Sequence, residues 1–95
     1  MNQVPTITVF IPGPLRDYCD GASQLSLAAA TVRAILDQFE QHRPALHRNI
    51  RDETGKVRPH LNLFVNSDNV RDLQGLDTSL AAGDVVTILP AVSGG

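Results

Sequence analysis

The chain has 95 residues, enough for one domain with a modest core, and 42% of them are hydrophobic against 19% charged. A net charge of −2 argues against nucleic-acid or anionic-membrane partners, which need a basic face. No stretch approaches the roughly 18 apolar residues of a membrane span. Residues Met1 to Pro5 lack signal-peptide character, and the lone Cys19 has no internal disulfide partner, so a cytoplasmic protein is expected.

In chain order, Thr6 to Ile11 is rich in β-branched residues and stops at Pro12-Gly13-Pro14, which predicts a first strand. Leu15 to Gly21 is expected as a turn or loop. Ser23 to Ala28 alternates loosely, with Leu25 and Leu27 on one side, and predicts a second strand in a hairpin with the first. Thr31 is placed to cap a helix. Val32, Ile35, Leu36 and Phe39 then fall at i, i+3, i+4 and i+7, with Arg33, Asp37, Gln38, Glu40 and Gln41 on the opposite face. That helix should end near His42-Arg43, because Pro44 disfavours helical geometry before it. Ala45 to Ile50 adds a short turn, and Arg51 to Lys56 is polar and turn-like.

Leu61 to Asn66 is expected as the third strand, Ser67-Asp68-Asn69 as a turn and Val70 to Asp72 as a short fourth strand. Gly75 to Gly83 forms a loop that plugs the core with Leu76 and Leu80. Asp84 to Leu89 is the last strand. The order β-β-α-β-β-β, with one helix on one face of a mixed sheet, is an α+β roll of the β-grasp type, the last strand parallel to the first.

Alternation sorts the strand residues onto two faces. Ile7, Val9 and Ile11, Leu61, Leu63 and Val65, and Val86 and Ile88 form the face turned to the helix. Phe10, Phe64 and Leu89 are left on the open face, where polar residues are expected. Scattered exposed apolar residues are ordinary. Gathered on neighbouring strands, these three would form a docking patch for a partner.

The chain ends Pro90-Ala91-Val92-Ser93-Gly94-Gly95 directly after the last strand. Pro90 restricts the exit, and the two glycines carry no side chain and adopt angles closed to other residues. Five residues beyond Pro90 reach roughly 16–18 Å when extended. The expected division is a folded domain over 1–90 and a flexible tail over 91–95.

Leu63-Phe64-Val65-Asn66, Val70-Arg71, Gly75-Leu76-Asp77-Thr78 and the run from Gly83 to Gly95 resemble the ubiquitin-like sulfur carriers. That group includes the small subunit of molybdopterin synthase, the thiamine carrier ThiS and, most similar to this chain, the carrier of mycobacterial-type cysteine synthesis. The resemblance covers most of the chain and is specific in its last third. It implies a β-grasp fold and a stoichiometric carrier that is not an enzyme and holds no cofactor. It further implies that a ubiquitin-activating-like enzyme recognises the tail through Pro90, Val92, Ser93 and Gly94, with Val92 as anchor in its channel, and adenylates the Gly95 carboxylate with ATP, and that a sulfurtransferase donor converts it to a thiocarboxylate. A sulfur-accepting synthase follows, in the cysteine pathway a pyridoxal-phosphate enzyme, with a metalloprotease releasing the product. Molybdopterin, thiamine and specialised thio-metabolites stay open as destinations.

Two other readings stay open. A lysine attacking the same adenylate would make the chain a protein modifier, and an inert tail would leave a plain interaction domain. Cys19 has no cationic neighbour in sequence to activate it and is expected as a packed or surface thiol. His42, His47 and His60 have no metal-binding spacing. Arg33, Arg43, Arg48 and Arg51 read as a solvated face, and Arg71 as an aid to docking.

Overall fold

Period-two alternation of apolar and polar residues produces the strands. A computed structural model describes residues 4–90. Strand β1 (Thr6–Phe10) pairs antiparallel with β2 (Gln24–Ala28), and helix α1 (Val32–His42) follows. Thr31 caps α1 as expected, its hydroxyl accepting from the Ala34 amide at 3.1 Å. Helix α2 (Pro44–Ile50) comes next, then β3 (Leu61–Val65), the two-residue β4 (Asp68–Asn69) and β5 (Val85–Pro90).

The strands form one mixed sheet in the order β2-β1-β5-β3-β4, the β-grasp arrangement. β5 lies in the middle, parallel to β1 and antiparallel to β3. Ile7, Val9, Leu61, Leu63, Val86 and Ile88 turn to one side and are buried against Val32, Ile35, Leu36 and Phe39 of α1. Each such side chain, removed from water, stabilises the fold by about 1.5–3 kcal/mol before entropy is counted. Leu80 plugs the core, while Leu76 packs half-buried at its margin.

Four expectations need correction. The segment after β1 is a 3₁₀ helix (Gly13–Cys19) rather than a loop. It carries Pro14 in its first turn, buries Leu15 and Cys19 four residues apart, and stops where Asp20 and Gly21 turn left-handed. The region after Pro44 is a full helix: proline suits a first helical position, and Leu46 and Ile50 recur on one face. The fourth strand falls two residues early. Asn66 takes a φ of 55° and closes a two-residue turn with Ser67, so Asp68 and Asn69 pair back onto β3. Val70–Asp72 is a 3₁₀ turn instead, with Val70 buried. Lastly, Arg51 is buried rather than solvated.

Candidate functional site

β5 is paired on both flanks along its first half and holds the central place in the sheet. The register with β1 stops at Phe10 opposite Thr87, while that with β3 continues to Leu61 opposite Pro90. Pro90 therefore has no β1 residue beside it, a position where the missing N–H is tolerated. Val92, Ser93, Gly94 and Gly95, the expected tail-recognition and sulfur-bearing residues, lie outside the described residues.

The start of β5 is held by a side chain whose part sequence reasoning missed. Asn66 donates from its amide nitrogen to Asp84 Oδ1 at 3.2 Å, and its side-chain oxygen accepts from the Val85 amide at 3.1 Å. Its own backbone N–H donates to the Val85 carbonyl at 2.7 Å. Asp84 Oδ2 in turn accepts from the Ala81 amide at 2.8 Å. The Val65-Asn66 and Gly83-Asp84 pairs are thus one clamp, at the opposite end of β5 from Pro90. The clue available in the sequence was an asparagine at a strand end, a residue that tolerates left-handed geometry and bonds locally.

The register brings the predicted patch together. Phe10 and Phe64 both stand opposite Thr87, from β1 and β3, and make one row across three strands. Leu89 lies two residues further along β5, on the same side. Phe10 is 42% exposed and Leu89 45%, with Phe64 half-buried between the flanking strands. Leu63 and Phe64 are neighbours in sequence, yet one is core and the other belongs to the open face.

The other candidate groups do not converge on this row. Cys19 is buried, its sulfur 3.5 Å from the carbonyls of Arg16 and Ala22. His42 and His60 are exposed, whereas His47 is buried and accepts at Nε2 from Arg51 Nε at 2.8 Å. Burial, and then the adjacent Arg51 charge, lower the His47 pKa. Among the described residues no three His, Cys, Asp or Glu side chains gather to hold a metal ion, and no helix is long and apolar enough to cross a membrane.

The sequence profile of the ThiS family matches residues 9–95. The chain belongs to the ThiS family. It is 37% identical over 91 residues to the sulfur carrier protein CysO of Mycobacterium tuberculosis, a match spanning 94% of this chain and 98% of that one. The crystal structure of M. tuberculosis CysO superposes with a TM-score of 0.83, covering 90% of this chain and 99% of the other. A chain of the Amycolatopsis orientalis BexX/CysO complex superposes at 0.80 with 37% identity, covering 94% and 99%. Small archaeal modifier protein 1 of Methanosarcina acetivorans superposes at 0.81 with 31% identity, covering 99% and 100%. In this ThiS-family chain the motifs of the last third do separate jobs: Asn66 and Asp84 set the register of β5, and Thr87 and Leu89 contribute to the open face.

Proposed function

We propose that this chain is a sulfur carrier whose working atom is the carboxylate carbon of Gly95. The observation that carries the reading is the match to a sulfur carrier protein along 94% of the chain. In this reading the folded body extends to Pro90, and residues 91–95 enter a partner's active site while Phe10, Phe64 and Leu89 dock outside it. The carboxylate attacks the α-phosphorus of ATP in an activating enzyme and expels pyrophosphate. A persulfide sulfur then attacks the acyl carbon and displaces AMP. Thiol cleavage of the resulting S–S bond leaves the thiocarboxylate.

Glycine at 94 and 95 has a physical basis in this scheme, since a Cβ would narrow the approach of the backbone and restrict its angles. Cysteine synthesis is the destination favoured by the likeness to CysO, with a pyridoxal-phosphate synthase as acceptor and a metalloprotease downstream. Deleting Gly95 should abolish ATP–pyrophosphate exchange by the activating enzyme and leave the circular dichroism spectrum intact. Normal exchange by the truncated chain would refute the proposal. A mass gain equal to one oxygen replaced by sulfur on the intact chain supports the carrier. The likeness to small archaeal modifier protein 1 favours a second reading, lysine conjugation through Gly95, which higher-mass adducts on a tagged chain would reveal.

A further inference from the structure

On the helix side of the sheet, α1 leaves the outer part of β3 incompletely covered. A groove of about 420 Å³ opens there, floored by Leu63 and walled by the half-buried Val57 and Leu76. Its rim carries three cations from three separate segments: Arg33 of α1, Lys56 of the turn before β3, and Arg71 of the 3₁₀ turn after β4. No carboxylate lines it. Three of the chain's eight lysines and arginines line it and none of its ten acids does; Asp77, just outside the lining, pairs with Arg33, so the uncompensated cations are Lys56 and Arg71.

The turns that carry two of these cations are built. Asp52 Oδ1 accepts from the amides of Thr54 at 2.8 Å and Lys56 at 3.1 Å, and Gly55 supplies a φ of 86° between them. The Arg71 amide donates to Asn69 Oδ1 at 2.9 Å. Arg33 donates from Nε to Asp77 at 3.1 Å. The other side-chain ion pair among the described residues is Arg51–Asp37, which leaves Lys56 and Arg71 without a carboxylate among them.

We infer that this groove docks an acidic, aliphatic segment of a partner protein. The apolar walls take an aliphatic side chain, and Lys56 and Arg71, uncompensated and on separate segments, suit carboxylates spaced along one peptide better than a single small anion. Leu63 and Phe64 point to opposite faces of β3, so this surface and the Phe10–Phe64 row can be occupied together. The inference stands independently of the sulfur-carrier reading.

The test titrates the full-length ¹⁵N-labelled chain with a capped peptide of alternating glutamate and leucine. Saturable shifts at the Lys56, Val57, Arg71 and Leu76 amides are expected. Binding should weaken at least tenfold in the Lys56→Glu, Arg71→Glu double variant, whose spectrum reports whether it is folded, and stay unchanged in Phe10→Ser. The Lys56→Gln, Arg71→Gln pair gives the same reading should charge reversal disturb the fold. Absence of shifts, or shifts confined to the Phe10 face, overturns the inference. So does an equal response to a peptide with lysine for glutamate or serine for leucine. Preferential engagement of the same amides by anionic phosphatidylserine vesicles overturns it in favour of a membrane surface. Concentration-dependent shifts without peptide overturn it in favour of a second copy of the chain.

Discussion

At the scale of single residues, Arg51 shows how a charge is kept inside a small protein. It is only 6% exposed, yet its Nε donates to His47 Nε2 and its terminal nitrogen donates to Asp37 at 3.0 Å. Asp37 is more than half exposed, so solvent screens that arm, and the buried arm to His47 matters more. The histidine accepts at Nε2 and so must be neutral there. Its pKa is lowered in the fold, which means the unfolded chain binds the proton more readily. Stability therefore has its full His47 contribution above about pH 6.5, the ordinary value, and loses it as pH falls through the depressed folded value. Urea unfolding between pH 8 and 5 should show this decline, and His47→Gln should flatten it; an unchanged slope in the variant would show that other groups cause it. Arg51→Leu leaves Nε2 without its donor and should cost about 1–3 kcal/mol in the same measurement at pH 7.5.

At the scale of elements, two local devices set where structure begins. The Thr31 hydroxyl satisfies one orphan amide of α1, and Thr31→Ala should cost about 1 kcal/mol by thermal or urea melt. Asn66 does more, since three of its polar atoms fix the first residues of β5. Asn66→Ala loses the side-chain bonds and also strains a left-handed residue, whereas Asn66→Gly loses only the bonds. The glycine variant should therefore be the more stable of the two, and the reverse order would show that left-handed strain at position 66 does not separate them. These cases mark what the sequence could disclose. The cap of α1 follows from Thr31 standing before the apolar run, its buried face and both faces of β1, β3 and β5 follow from local spacing of apolar residues, and the strand registers agree with that spacing. The two-residue β4 was misplaced because its position depends on a left-handed Asn66, which no periodicity reports. Arg51 was misread because its burial depends on how α2 packs, which sets His47 against its Nε and brings Asp37 of α1 to its terminal nitrogen. The row of Phe10, Phe64 and Leu89 was legible as three outward apolar residues, but its contiguity required β5 to lie between β1 and β3.

At the scale of the whole molecule, the central position of β5 joins the two parts of the proposed work. The strand that ends at Pro90 also contributes Thr87 and Leu89 to the open face, so a partner gripping that face is registered to the exit of the chain. A shift of β5 by one residue would exchange its inward and outward side chains, and the Asn66 clamp opposes that slip. The expected energetic centre of docking is Phe64, since it is flanked on the sheet and already half-buried before binding, with Phe10 and Leu89 around it. Calorimetry with the activating enzyme should find Phe64→Ala weakened by about 2 kcal/mol or more, roughly thirtyfold, and Leu89→Ala by less. Gln41→Ala, on the exposed side of α1, should bind as the parent does. Because Phe10 and Leu89 are exposed, their alanine variants should keep the parent's melting temperature within a few degrees, which separates lost docking from lost folding. Undiminished binding by both Phe64→Ala and Leu89→Ala would remove the open face from the docking surface, while the Gly95 deletion tests the tail on its own.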